Sequence, residues 1–185
     1  MENSDHKRTI KSYVLRQGHL SDSQAGAIAQ LMPKWGIPFS EEIIDLNTLF
    51  GRATPKILEI GFGMGRSLVL MAQANPERNF VGIEVHIPGI AQCVYEAGTA
   101  GLSNLRVLDA DAIQVLREMP DNSIDTVQLY FPDPWQKKRH FKRRFVSHDR
   151  MPLVEQKLEM GGTFHAATDW EPYAVCRCVE CATHF

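Results

Sequence analysis

Residues 56–67, "KILEIGFGMGRS", join a short apolar run to a turn with three glycines. The run over 56–60 predicts a buried strand, and glycines permit a tight turn that brings backbone amides against a ligand. The dinucleotide-binding pattern GxGxxG would place its third glycine at position 66, where this chain has Arg66. The spacing is therefore GxGxG, which predicts a ligand-binding turn of another kind.

Strand-like and helix-like runs alternate from Pro55 onward. The predicted strands cover residues 56–60, 79–85, 104–108, 123–131 and 163–168. This alternation predicts an α/β fold, a doubly wound and mostly parallel sheet with helices on both faces. Ligands bind such sheets beyond the carboxyl ends of the strands, so polar residues at those ends are candidate site residues.

The 185 residues suit one domain with a short appendage. We expect residues 1–52 to form a basic N-terminal arm and short helices that pack on the core, and residues 53–185 to form the main domain. One short helix is predicted from about Ser21 to Pro33. A second is predicted over "SEEIIDLNTLF", with Ser40 as its N-cap and Gly51 just beyond its end.

Three acids lie at or close to the carboxyl ends of the first three predicted strands. Glu59 stands two residues before the first glycine, where an acid disfavours pyrophosphate and favours a cation or an amine. Glu84, at the end of the second strand, is placed to accept hydrogen bonds from ribose hydroxyls. Asp111, after the third strand, can accept from an exocyclic amine such as that of adenine. The set predicts a pocket for a nucleoside that carries an ammonium and a sulfonium.

These residues, "ILEIGFGMGRS" together with the strand-end "GIEVH", resemble the S-adenosylmethionine site of the class I methyltransferases, which have a Rossmann-like fold. The resemblance implies S-adenosylmethionine as donor and S-adenosylhomocysteine as product. It implies that Gly61, Gly63 and Gly65 line the methionine moiety. It also implies that Glu84 holds the ribose and Asp111 the adenine edge.

A second motif, "QLYFPDPWQKKRHFKRR" over residues 128–144, follows the fourth strand. Pro132 and Pro134 restrict the backbone on both sides of Asp133, so that its carboxylate loses little freedom on meeting a substrate. Trp135 offers a flat surface on which a base could stack. A proline-flanked Asp can also be an ordinary turn, but its place at a strand end beside a donor site favours a functional role.

Residues 137–144, here called the basic ridge, contain six of the 20 Lys and Arg, whereas all 22 Asp and Glu lie elsewhere. The net charge of −2 therefore hides an acidic body with one basic surface. Such a surface attracts polyanions locally, although a charge run can also be a solvated loop.

Together with "GGTFHAATDWEPYA" and "KSYVLRQGHL", the second motif resembles the tRNA (guanine-N7-)-methyltransferases, over about residues 10 to 176. The resemblance implies methyl transfer to N7 of a guanine in the tRNA variable loop. The family's donor and catalytic positions fall on Glu59, Glu84, Asp111 and Asp133. Its tRNA contacts fall on Lys137 and Asp169.

The chemistry of N7 suggests a role for the proline-flanked acid. Guanine N7 has a lone pair and no proton, so its methylation needs alignment and electrostatics rather than a general base. We therefore interpret Asp133 as a positioning group that accepts from guanine N1–H and the exocyclic amine, because it cannot bond the acceptor-only O6/N7 edge. Asp169 could share that task, and Lys11 and Arg16 could extend the basic surface.

Two alternatives stay open. One is a non-catalytic RNA-binding module with a vestigial donor site, and the other is an amine methyltransferase that acts on DNA or protein. Class I enzymes usually end in an antiparallel strand pair after the fifth strand. The sequence stops at Phe185, soon after the last predicted helix, so we expect that pair to be missing and the sequence to be truncated.

Composition gives the remaining expectations. No apolar run approaches the roughly 18 residues of a membrane helix, and the N-terminus lacks the apolar core of a secretory signal. Cys176, Cys178 and Cys181 do not have zinc-site spacing, so no metal is expected. We expect a cytoplasmic protein, without a membrane partner, that is a monomer or a weak homodimer.

Overall fold

The computed structural model describes residues 11–14, 20–40 and 42–174. Five strands form one sheet in the order β3-β2-β1-β4-β5, and every neighbouring pair is parallel. The strands are β1 (Lys56–Ile60), β2 (Asn79–Glu84), β3 (Leu105–Asp109), β4 (Ile124–Tyr130) and β5 (Leu158–Ala167). The predicted doubly wound parallel sheet is confirmed, and β1 has the predicted bounds.

Helices cover both faces of this sheet. They are α1 (Asp22–Trp35), α2 (Leu46–Phe50), α3 (Arg66–Ala74), α4 (Ile87–Thr99), α5 (Ala112–Glu118) and α6 (Met151–Lys157), and a 3₁₀ helix covers Lys138–Arg143. One buried cluster joins α3 and α4 to the sheet, and the other joins α5 and α6 to it. Since successive strand residues face opposite sides, Leu58 packs with the α5–α6 cluster and Glu59 lies on the α3–α4 side.

The first helix passes the predicted stop at Pro33 and ends at Trp35. Trp35 is 4% exposed, and its indole N–H donates to the carbonyl of Leu102 at 3.0 Å. The next residues continue this contact, since the amide of Ile37 donates to the Val107 carbonyl of β3 at 2.8 Å. Tertiary packing therefore holds two further helical residues after the proline.

The second helix is shorter than predicted, and Ser40 is not its N-cap. Asp45 is the N-cap, and its carboxylate accepts from the amide of Asn47 at 3.0 Å. The preceding Ile44 is already buried, with its amide bonded to the Glu118 carbonyl, so this residue is held outside the helix. Gly51 lies just past the end of the helix, as predicted, and has the left-handed conformation.

The fifth strand begins at Leu158, five residues before the predicted start at 163, and the helix before it ends at Lys157. The pairing of β4 with β5 shifts register between Ile124 and Thr126, and Gly161 has φ +82°. The irregularity allows a glycine-containing segment to stay in the strand. Within the described residues β5 is an edge strand of the sheet.

The order of strands places a crevice at β1. The chain runs from β1 outward to β3 and then returns to β4 on the other side of β1, so that loops on its two sides diverge. This is where ligands bind in open parallel sheets. In the part of the chain that the structure describes, no helix has the length and apolar character needed to cross a bilayer.

Candidate functional site

A cavity of about 390 Å³ lies at this crevice. That volume falls in the range of small-molecule sites, roughly 300–1,000 Å³. Its walls include Gly61 and Gly63 of the glycine turn, Glu84 at the end of β2, and Asp133 after β4. The turn and the proline-flanked acid, 70 residues apart in the chain, therefore share one cavity.

The three turn glycines have different surroundings although all have positive φ. A Cβ at Gly61 or Gly63 would meet no atom of the described residues within 4 Å, so these two present bare backbone to open space. A Cβ at Gly65 would lie 2.5 Å from the Cβ of Cys93 in α4. Gly65 does not line the cavity, and its role in the structure is to let α3 approach α4 closely.

The Glu84 carboxylate is fixed by three backbone amides. One oxygen, Oε2, accepts from Gly63 at 2.8 Å, and Oε1 accepts from Val85 at 2.6 Å and His86 at 3.0 Å. These bonds tie the glycine turn to the end of β2. The carboxylate is held in place before any ligand binds and retains acceptor capacity toward the cavity.

Glu59 is the most unusual carboxylate of the site. It is 3% exposed, and its Oε2 is buried with no hydrogen-bond partner among the described residues. Burial raises the pKa of Glu59 to about 7, and the nearby charge of Glu84 adds to the shift. A buried carboxylate without a partner is costly, so the side chain is suited to a cationic ligand group. Glu59 is not among the residues that line the cavity.

Asp111 caps α5, since its Oδ1 accepts from the amide of Ile113 at 2.9 Å. Its neighbours Ala110 and Ala112 line the cavity, but Asp111 itself does not. The structure therefore gives this residue a helix-capping contact that the sequence interpretation did not include.

The acceptor loop, residues 131–135, contains two of the three non-glycine residues with positive φ in the described chain. Phe131 has φ +49° and Trp135 has φ +44°. Such residues are uncommon and cluster at functional sites when the surroundings hold them. The amide of Phe131 donates to the Ala167 carbonyl at 2.9 Å, and Arg144 donates to the Pro134 carbonyl at 2.9 Å. Asp133 is exposed on this anchored loop.

Trp135 contacts protein on several sides. Its indole N–H donates to the carbonyl of Ser12 at 3.0 Å. The Arg143 guanidinium lies 4.9 Å from its ring centroid, and His140 packs edge-to-face at 5.7 Å. The Ser12 bond places residues 12–14 on the cavity wall, a contribution that the sequence interpretation missed. The signal available was Tyr13 in the family-like "KSYVLRQGHL", but its position depends on a contact 123 residues away.

The basic ridge is less uniform than its sequence suggests. Lys137, Lys138, Arg139 and Lys142 are exposed. Arg144 is 4% exposed, and its guanidinium lies 3.7 Å from the ring centroid of Phe141. Its charge therefore makes contacts within the protein and is not available to an external anion. The basic surface predicted from the sequence therefore includes the exposed cations of the ridge but not the buried Arg144.

Lys137 and Asp169 follow β4 and β5 respectively, so both lie at the carboxyl edge of the sheet. Both are exposed, and neither lines the cavity. Within residues 11–14, 20–40 and 42–174, no group of three or more His, Cys, Asp or Glu side chains is arranged to hold a metal ion. Arg16 and the cluster of Cys176, Cys178 and Cys181 lie outside the described residues.

The fold and the site define a class I methyltransferase. A family model described as a putative methyltransferase matches residues 53–185. A solved structure, precorrin-6y C5,15-methyltransferase from Geobacter metallireducens, has a TM-score of 0.57 at 12% identity, over 87% of this chain and 68% of that one. This similarity shows the fold.

Two curated relatives are named tRNA (guanine-N(7)-)-methyltransferase. The protein from Acinetobacter baylyi is 67% identical over 94% of this chain and 70% of its own length. The protein from Yersinia pseudotuberculosis is 54% identical over 94% of this chain and 73% of its own length. The chain belongs to the tRNA (guanine-N(7)-)-methyltransferase family.

Proposed function

We propose that this protein transfers a methyl group from S-adenosylmethionine to N7 of a guanine in tRNA, in the variable loop as the family resemblance implies. The observation that carries the proposal is the single cavity shared by the glycine turn and Asp133. A methyl donor held by the turn and a base held by the acid would meet in that cavity. The curated names of the two relatives supply the substrate and the atom.

The residues present fit the donor. Among the described residues Glu59 has a buried oxygen without a partner, which suits an ammonium group, and Gly61 and Gly63 offer bare backbone at the cavity wall. Glu84 is preorganised to accept from ribose hydroxyls, and Asp111 would accept from the adenine amine with the oxygen that does not cap α5. When bound, S-adenosylmethionine supplies an electrophilic methyl group on a sulfonium sulfur.

Asp133 would orient the acceptor base. N7 carries no proton, so the carboxylate has none to remove and acts instead by accepting from N1–H and the exocyclic amine of guanine. The two prolines and the anchored ends of the acceptor loop hold this acceptor in place. Asp169 and Lys137, exposed at the same edge of the sheet, would contact the tRNA around the base.

The exposed cations of the basic ridge compensate for the acids of the site. Glu84 and Asp133 line the cavity and would repel the phosphates on either side of the target nucleotide. Lys137, Lys138 and Arg139 directly follow the acceptor loop and can neutralise those phosphates.

The proposed reaction is tested with donor labelled in its methyl group, unmodified tRNA transcript and nucleoside mass analysis. We expect label in 7-methylguanosine. A transcript made with 7-deazaguanosine, which lacks the N7 acceptor, is the matched control and should receive none. Label in exocyclic amines or in protein would instead identify an amine methyltransferase, and binding of RNA without transfer would identify a binding module.

Asp133→Ala tests the role of the acceptor loop. Because the acid is assigned to the base and not to the donor, we expect turnover to fall by about 100-fold or more, whereas the donor dissociation constant changes by less than about threefold. Single-turnover methylation and calorimetric donor titration measure the two effects. A methylation rate near that of the wild type would show that the carboxylate does not position guanine.

A further inference from the structure

Trp135 is poorly placed to stack on a nucleic-acid base. The Arg143 guanidinium lies over its ring, His140 packs against it in a T-shaped arrangement, and its only N–H is bonded to the Ser12 carbonyl. These contacts join the N-terminal segment, the acceptor loop and the basic ridge. Trp135 therefore has a structural role that accounts for its size and its polar atom.

Phe131 has the opposite character. Its side chain is 65% exposed, although phenylalanine is normally buried, and it lines the cavity two residues from Asp133. No other phenylalanine in the described chain combines so large an exposure with a place on the cavity wall; Phe145 lines the cavity but is buried.

The backbone of Phe131 also departs from what its side chain prefers. A φ of +49° is unfavourable for a bulky residue and would be relaxed by glycine. The bond from its amide to the Ala167 carbonyl holds it in this conformation. The exposed apolar ring and the strained backbone are both unfavourable for the folded state. Since the ring lines the cavity, we expect it to contact the bound substrate.

We propose that the phenyl ring of Phe131 is the surface on which the target guanine stacks, with Asp133 at the edge of the same base. This inference rests on the proposed function and adds the residue that presents the face of the purine. Aromatic rings are common stacking platforms for single-stranded bases because every base has a π face.

The chemistry gives this ring a second effect. As the N7 lone pair forms its bond to the methyl carbon, the carbon–sulfur bond breaks and its electron pair remains on sulfur. The positive charge of the sulfonium thus passes to the purine. The negative face of a stacked phenyl ring attracts a cation, so Phe131 interacts more strongly with the methylated base than with guanine. The ring therefore favours the charge that develops during transfer.

Kinetics of Phe131 variants test the inference. Phe131→Ala is expected to lower kcat/KM for tRNA by about ten- to 100-fold, the range found when a base loses an aromatic partner, and to leave donor affinity within about twofold. Phe131→Leu keeps apolar bulk but has no π face, so it should lower kcat by about tenfold, whereas Phe131→Trp should stay within about threefold of wild type.

Tyr95→Ala is the matched control, because Tyr95 is 57% exposed on α4 and does not line the cavity. It should leave kcat/KM unchanged. Phe131→Gly separates stacking from folding: it relaxes the backbone, so it should melt no lower than wild type and yet lose as much activity as Phe131→Ala.

Different results overturn different claims. If the wild-type protein does not form 7-methylguanosine, the proposed function fails. If it does and Phe131→Ala or Phe131→Gly keeps kcat/KM within about threefold, only the stacking assignment fails. The assignment also fails if Phe131→Leu equals wild type, since an aliphatic side chain cannot stack, or if Phe131→Ala loses donor binding to the same extent as turnover.

Discussion

At the scale of single residues, Glu59 shows how stability and ligand binding can oppose each other. Its carboxyl group is buried, Oε2 has no hydrogen-bond partner in the described part of the chain, and burial raises its pKa from an ordinary 4.5 to about 7. An acid whose pKa is raised on folding stabilises the folded state below its unfolded pKa, and this contribution is lost as the pH rises through the folded pKa. For Glu59 the window is therefore pH 4.5 to about 7.

Glu59→Gln should show both effects. Above about pH 7 the wild type must keep a charge in a buried site, so the neutral variant should have the larger free energy of unfolding, by up to about 3 kcal/mol. Near pH 4.5 the difference should vanish. Donor affinity at about pH 8 should fall at least tenfold, because the ammonium loses its counter-charge.

Urea titrations at several pH values and calorimetric donor titration make these measurements. Glu77→Gln is the matched control, since Glu77 is an exposed carboxylate beside Arg78. It should change neither quantity by more than a few tenths of a kcal/mol. A Glu59→Gln variant that binds donor as well as the wild type would remove Glu59 from the donor site.

At the scale of elements, two contacts position the walls of the cavity. One is the close packing of α3 on α4, and the other is the hydrogen bond from Trp135 to Ser12. Gly65 begins α3 with φ +77° and leaves no room for a side chain against Cys93. The Trp135 bond holds residues 12–14 over the opposite wall. The contact between Gly65 and Cys93 positions the glycine turn. The bond between Trp135 and Ser12 positions the wall beside the acceptor loop.

Gly65→Ala should destabilise the protein through both backbone strain and the clash with Cys93. We expect a loss of about 2–4 kcal/mol in urea unfolding. Gly51→Ala is the control for strain alone, because Gly51 has φ +65° and nothing near its Cβ position, and it should lose only about 1 kcal/mol. Equal losses would mean that α3 and α4 adjust to admit the methyl group.

Trp135→Phe keeps an aromatic ring and removes the N–H donor to Ser12. The loss of one hydrogen bond, about 1 kcal/mol, should loosen residues 12–14 and lower kcat/KM for tRNA about fivefold. Faster hydrogen exchange at these amides would report the release directly. Unchanged exchange together with unchanged kinetics would show that the bond does not hold the wall.

At the scale of the whole molecule, charge is separated between an acidic body and the exposed cations that follow β4. This separation predicts strongly salt-dependent tRNA binding by a protein of net charge −2. Arg144 does not contribute, since its guanidinium is buried against Phe141.

Lys137→Ala should weaken tRNA binding and reduce the slope of log K against log salt by about one unit. Arg78→Ala is the control, because Arg78 precedes β2 and thus lies at the amino edge of the sheet, away from the site. It should leave the slope unchanged. Filter binding over a series of salt concentrations measures the slope for each variant. Equal slopes for the two variants would show that Lys137 does not contact a phosphate.

The parts of the molecule that the sequence predicted are those set by local pattern. The bounds of β1 followed from a fully buried run before a glycine turn, and the parallel sheet followed from alternation. The start of β5 was missed because a register shift near Gly161 depends on the partner strand. The burial of Arg144 and the place of Tyr13 on the cavity wall depend on contacts distant in sequence, which periodicity does not encode.

Because the pKa of Glu59 is about 7, donor binding should be coupled to the release of a proton. If the ammonium group of the donor binds beside Glu59, as we propose, the acid would ionise and release its proton to the solvent, so that one positive charge would replace another at this position. The measured heat of complex formation would then include the protonation enthalpy of the buffer. Titrations in phosphate and in Tris should differ, and the difference counts the protons exchanged.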